Sequence, residues 1–210
     1  MVDEATSGGR AGGAPAPRTR AGERVRAAAG ELFYRRGIRA VGVDEIVAKA
    51  GVTKPSLYRG FASKDALAVA CLEDFEAALF ARLDQGLAAH PGDPRAGLLA
   101  FLSGLAGRTA RPDYRGCGLS NALIEHPEPE HPARLAALAH KQALRARLTG
   151  ISTDLGARDP EALSDGLLLL IEGTFASGQM FGAGGPARSL PAIAAALIAA
   201  STAGAASPGR

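Results

Sequence analysis

The sequence predicts an all-α chain in which an N-terminal three-helix head, built on a helix-turn-helix, precedes a larger helical body. Three observations predict it. Apolar residues recur at three- and four-residue spacing in segment after segment, divided by Gly- and Pro-rich breaks. Residues 43–64, VDEIVAKAGVTKPSLYRGFASK, read as two short helices joined by a tight turn, with the start of a third behind them. Charge divides along the same line: residues 18–64 hold eleven Lys or Arg against four Asp or Glu, a net of +7 on a chain totalling +3, so the remainder sums to −4. Positive charge gathered into so short a segment is the footprint of a polyanion partner, whereas a basic membrane-surface helix also needs a broad exposed apolar face.

Residues 1–17 are rich in Gly, Ala, Pro and Ser without periodicity, which predicts a disordered arm; Arg10 lies on it, with Arg18 and Arg20 just after. Incidental arginines on a leader account for these charges better than an arm reaching into a minor groove. A first helix follows over residues 20–36, with Val25, Ala28, Ala29, Leu32 and Phe33 on one face and Gly37 as its left-handed terminator. It braces the motif, because two short helices alone bury too little surface to stay folded.

Within the motif, Ile46, Val47 and Ala50 make the inner face of the first short helix, Gly51 allows the sharp turn, and Val52 and Leu57 lock the pair together. Thr53 is placed to cap the second helix by accepting from the Ser56 amide, with Pro55 in the first turn where a missing N–H costs nothing. The exposed tip, Thr53, Lys54, Pro55, Ser56, Tyr58 and Arg59, is polar or cationic and contributes nothing to a core.

AGVTKPS followed by LYRGFASKDAL resembles the DNA-binding signature of the tetracycline-repressor (TetR) family of bacterial transcription regulators, over residues 20–72. The resemblance implies a homodimer that binds double-stranded DNA through such heads, with a variable all-helical C-terminal domain that takes a small-molecule inducer. It further implies that Tyr58 and Lys64 grip the DNA backbone while Thr53, Lys54, Pro55 and Ser56 meet base edges. Gly60 departs from the pattern, since its position more often holds a His or aromatic residue that touches the backbone.

The division expected is an arm over 1–17, a DNA-binding head over 18–64, an effector-binding and dimerisation body over 65–206, and a tail over 207–210. Ser63 is the predicted cap of a fourth helix, with Leu67, Leu72, Phe75, Leu79 and Leu83 along it. After the break at residues 90–94 come a helix ending near Arg108, a short helix GLSNALI, and a longer one over 133–149 with Leu135, Leu138, Leu144 and Leu148 inward. Asp159 and Pro160 open a helix that runs to Phe181 and is apolar on more than one face. GAGGP at 182–186 precedes the last helix, and it reads as a connector because no strand precedes it and no Lys-Ser or Lys-Thr follows.

Gly166, Gly173 and Ser177, facing Ile193 and Leu197, form a small-residue stripe that fits the family's dimer interface. Ordinary intrachain packing in an alanine-rich chain explains that stripe equally well. Phe75, Phe101, Leu105, Asn121, Glu172 and Phe175 are the candidates by position for an inducer pocket.

No Walker motif, nucleophile elbow or zinc-ribbon spacing occurs, so neither a catalytic residue nor a cofactor is expected. Cys117, Glu125, His126, Glu128, His131 and His140 collect metal-capable side chains, but at no standard metal spacing. Cys117 beside Arg115 allows a redox role, although a small buried side chain is the simpler reading. Two cysteines and no apolar leader fit a cytoplasmic protein, and no segment reads as a membrane span. The reading from another class is a helical small-molecule-binding or catalytic protein with a vestigial head, and Gly60 alone favours it.

Overall fold

Helix α1 (Arg20–Arg36) buries Val25, Ala28, Ala29 and Phe33 against α2 (Val43–Ala50) and α3 (Lys54–Gly60), whose Ile46 and Leu57 are fully enclosed. These ranges belong to a computed structural model that describes residues 20–203. The arm over 1–17 with Arg10, the residue Arg18, and the tail over 207–210 lie outside the described residues. Next in order are α4 (Lys64–Ala88), α5 (Pro94–Arg108), α6 (Gly118–Glu125), α7 (Pro132–Asp154) and α8 (Pro160–Phe181). Two 3-10 turns, Gly182–Gly184 and Pro186–Ser189, lead into α9 (Leu190–Thr202), and no strand occurs among the described residues.

Helix α4 runs from the head into the body, about 37 Å at 1.5 Å per residue. It begins where the Ser63 hydroxyl accepts from the Ala66 amide at 3.0 Å, the predicted cap. Leu67, Ala68, Cys71 and Leu72 pack towards the head, and Leu79 and Leu83 belong to the body core. The Arg26 guanidinium of α1, buried, holds both carboxylate oxygens of Asp74 on α4, one at 2.7 Å. Burial in the same seam pushes the Cys71 thiol up to about 12. Asp93 and Asp159 cap α5 and α8 in the same manner, accepting from Ala96 at 2.9 Å and from Ala162 at 3.0 Å, each with Pro in the first turn.

Helix α7 corrects the predicted inner face. Leu135 and Leu138 are 47% and 43% exposed, while Ala133, Ala137, His140, Leu144, Leu148 and Ile151 face inward. The inward alanines let α6 approach closely, and Arg134 fixes the rotation by donating to the Leu123 and His126 carbonyls at the end of α6, at 3.1 and 3.2 Å. The helix also runs past Thr149 to Asp154, since Gly150 lies mid-helix and does not end it.

On α8 the small residues divide. A Cβ at Gly166 would lie 2.8 Å from Leu197 Cδ2, so this glycine admits α9 of its own chain. Gly173 meets nothing within 4 Å and lies with exposed Leu169, Ala176 and Met180 on an outer face. Ser177 is half-buried between the two, and Ile193 on α9 is 49% exposed.

Candidate functional site

The turn of the helix-turn-helix is built on Gly51, whose φ of 61° lies in the left-handed region. Its amide donates to Ala48 O and the Val52 amide to Val47 O, closing the last turn of α2. Arg24 of α1 then covers the same carbonyl end, donating to Gly51 O at 2.7 Å and to Ala50 O. A cation there complements the negative end of the helix dipole and clamps α1 to the turn.

The exposed tip of α3 is more internally bonded than its sequence implies. Thr53 has extended backbone as an N-cap should, but its hydroxyl makes no cap bond to the Ser56 amide. It lies 3.1 Å from the Ser56 hydroxyl instead, and Arg59 donates to that same Ser56 oxygen at 2.6 Å. The Ser56 amide is already satisfied by the Thr53 carbonyl at 2.9 Å, which leaves the hydroxyl to a side chain. Lys54 pairs with Asp44 at 2.7 Å, and that hydrogen bond holds its ammonium above the ordinary lysine value. Pro55 and Tyr58 are exposed, Tyr58 by 50%, and Lys64 stands at the first position of α4. A Cβ at Gly60 would meet only Gly22 Cα at 3.9 Å, so the missing side chain leaves room rather than a tight contact.

Of the ten Lys and Arg over residues 20–64, five are ion-paired within the protein: Arg26, Arg35, Arg36, Lys49 and Lys54. Glu31 takes Lys49 at 3.0 Å and Arg35 at 3.4 Å, and Glu45 takes Arg36, while the Arg39 amide donates to the Glu125 carboxylate of α6 and its guanidinium to the Glu125 backbone carbonyl, each at 3.0 Å. Arg20, Arg24, Arg39, Arg59 and Lys64 make no ion pair among the described residues, Arg24 and Arg39 being taken up by backbone carbonyls instead. The face left for a polyanion is therefore the α3 tip and the start of α4, which lie together.

This geometry has known counterparts. The model of the tetR family of bacterial regulatory proteins matches residues 25–71, from α1 through the helix-turn-helix into α4. The chain is 28% identical to a TetR-family transcriptional regulator of Streptomyces coelicolor, with a TM-score of 0.81 over 87% of this chain and 96% of that one. It is 30% identical to a TetR-type regulator of Streptomyces avermitilis, at 0.75 over 87% of this chain and 98% of that one. This chain belongs to the TetR family. Over 67 residues the chain is also 43% identical to the HTH-type transcriptional activator FasR of Mycolicibacterium smegmatis, a match spanning 32% of this chain and 31% of that protein. This TetR-family regulator thus shares about a third of its length with one relative and its whole fold with others.

The body of this TetR-family regulator holds a cavity of about 90 Å³ bounded by α1, α4, α5, α6, α8 and the loop before α6. Phe75, Leu105 and Phe175 line it, as position in the sequence predicts. The other three candidates stand elsewhere. Phe101 faces a more open groove between α4 and α5, beside Gly86 and Gly104. Asn121 is turned towards the head, its side-chain amide donating to Arg115 O at 2.9 Å. Glu172 is taken up by Lys141 at 2.6 Å and the Ser120 hydroxyl at 2.7 Å.

Sequence reasoning missed Tyr34, Arg82, Arg108 and Tyr114, which complete the cavity wall. A signal for Arg82 existed, because it lies seven residues after Phe75 on the inner stripe of α4, where a charge is out of pattern. Cys117 also lines the cavity, with Lys141 Nζ 3.5 Å from its sulfur. The rings of His126 and His131 stack at 3.8 Å, yet no group of three His, Cys, Asp or Glu is placed to hold a metal ion among the described residues. No single helix among them is long and apolar enough to cross a membrane.

Proposed function

We propose that this regulator is a homodimeric repressor that leaves a pseudo-palindromic operator when a small-molecule inducer enters the body cavity. One observation carries the reading. Tyr34, on α1 of the head, lines the cavity and is bonded to the loop that closes it: its hydroxyl donates to Gly116 O at 3.2 Å and accepts from the Arg115 amide at 2.9 Å. A ligand that moves that loop moves α1, on which α2 and α3 are packed. Helix α6 adds a second link, with Gly118 and Leu119 at the cavity and Glu125 holding Arg39 of the head.

Residues 18–64 would then act as the DNA-reading head and residues 65–206 as the effector and dimer body. Support for the dimer comes from the outer face of α8 and α9, where Leu169 is 73% exposed, Met180 68% and Ile193 49% around the open Gly173. Apolar side chains gathered on one face call for a covering surface, and a second copy would also supply the second recognition helix. In this dimer Gly173 and Ile193 sit at the contact, while Gly166 and Leu197 brace it from within each chain. FasR is named an activator, but that match spans 31% of its length, too little to carry the direction of regulation across.

The test is selection of bound sequences from a randomised DNA pool, followed by a screen for compounds that release the selected DNA. Inverted repeats among the selected sequences and release by at least one cavity ligand support the reading. Asymmetric single sites, or DNA binding indifferent to every compound that occupies the cavity, contradict it.

A further inference from the structure

Arg82 of α4 and Arg108, the last residue of α5, both line the cavity, and both also line the open groove between those helices. They form the partition between the two spaces. Neither guanidinium makes a hydrogen bond or ion pair among the described residues, and no Asp or Glu lines either space. Arg82 Nε and the Tyr114 hydroxyl are buried without a partner. An unsatisfied buried donor is costly to keep, and two neighbouring cations without a carboxylate are doubly so. Burial, with Arg108 beside it, holds the Arg82 guanidinium below its ordinary value. Beyond the arginines the wall turns aromatic: Tyr34, Phe75, Tyr114 and Phe175 are four of the chain's ten Phe and Tyr residues. The space is several times the roughly 10–15 Å³ one water needs, so it holds a small ring or chain.

We infer that the cavity is a site for an aromatic carboxylate, whose anionic group lies between Arg82 and Arg108 with Tyr114 as a third donor and whose ring lies among Phe75, Phe175 and Leu105. The guanidinium fork suits a planar carboxylate, and desolvation in a half-closed site strengthens each charge-assisted bond. The ring is held by offset and edge contacts of the kind Tyr34 already makes with Phe75, at 5.8 Å and 52°. This inference rests on the effector reading above and names the ligand class that the same cavity takes.

Binding of benzoate and 2-naphthoate, with benzamide and 2-naphthamide as neutral counterparts, is measured by titration calorimetry on the full chain without DNA. The acids are expected to bind at least about ten-fold more tightly than the amides, the loss typical when a charge-assisted pair becomes neutral. Arg82→Gln and Arg108→Gln, checked for folding by circular dichroism, are expected to bind acid and amide alike. Equal affinity of acids and amides for the wild-type chain, no binding of either acid at millimolar concentration, or an undiminished acid preference in both variants would each overturn the assignment. The wild-type comparison decides even where a variant fails to fold. DNA release is then read separately. Arginine-dependent acid binding that leaves DNA in place supports this assignment and removes the repressor mechanism, whereas release by neutral compounds alone does the reverse.

Discussion

The Tyr34 hydroxyl lies 3.2 Å from the Gly116 carbonyl and 2.9 Å from the Arg115 amide, so one side chain of the head is sewn into the wall of the body cavity. Gly116 has a φ of 72°, and a Cβ there would fall 2.4 Å from the Gln179 amide, which pins the loop against α8 as well. Tyr34→Phe keeps the ring against Phe75 and deletes both bonds, at about 1 kcal/mol of stability for each. Effector affinity should stay within a few-fold while the change in operator affinity on effector binding shrinks by about 1 kcal/mol or more. Fluorescence anisotropy on labelled operator, with and without effector, measures it.

The charge pattern of the head sets its response to salt. Arg59, Lys64 and, once its exposed pair with Asp44 opens, Lys54 leave about three phosphate contacts per head, so a dimer should show a log–log salt slope of roughly −5. A count of every basic residue in the head would give a far steeper slope. Lys64→Ala should weaken all sequences alike and flatten the slope by about one unit per head, whereas changes at Lys54 or Ser56 should alter base preference. Binding isotherms across a salt series distinguish the two.

The helices were legible in the sequence because their signals are local: Ser63 and Asp159 cap where a short polar side chain precedes the helix, and Gly51 turns where only a glycine is at ease. The α3 tip was legible as exposed and polar, but not its bonding, because Lys54 with Asp44 and Ser56 with Arg59 depend on how two helices cross. Three of the six pocket candidates line the cavity and three face elsewhere. Phe75, Leu105 and Phe175 follow helical period, whereas Phe101, Asn121 and Glu172 turn away through rotations set by partners such as Gly86, Arg115 and Lys141. Leu135 and Leu138 show the same limit, since a leucine stripe and an alanine stripe on α7 compete and packing against α6 selects the alanines.

Gly173 offers a clean test of the dimer face. Within the chain it meets nothing, so Gly173→Leu should leave the monomer folded and gain up to about 1 kcal/mol of helix propensity. Across a twofold contact the same leucine should cost roughly 1–3 kcal/mol at each copy. Sedimentation velocity should show monomer at micromolar concentration, with operator binding lost. A stable dimer with normal operator affinity would return Gly173 to an ordinary surface position.

His140 predicts acid sensitivity. Its ring is fully buried beside Phe80 and Lys141, and burial is the main cause holding its pKa below the ordinary 6.5, against an opposing pull from Glu76 at 3.5 Å. The unfolded chain therefore takes up a proton that the folded chain refuses, so the neutral ring's stability is present above about pH 6.5 and is lost as pH falls below it. His126, shifted down chiefly by burial with His131 next, acts in the same direction. Thermal melts at about pH 7.5 and 5.5 should show a drop in Tm on acidification that is smaller in His140→Gln.

The most direct measurement is the operator dissociation constant of the full chain at rising effector concentration, paired with the effector dissociation constant with and without saturating operator. Binding free energies are linked, so the two ratios must be the same factor, on the order of 5- to 150-fold, if the cavity and the α3 face are two sites of one switch. Weakening by the same factor at both sites is the predicted result. An operator affinity that stays constant while effector fills the cavity would contradict the account.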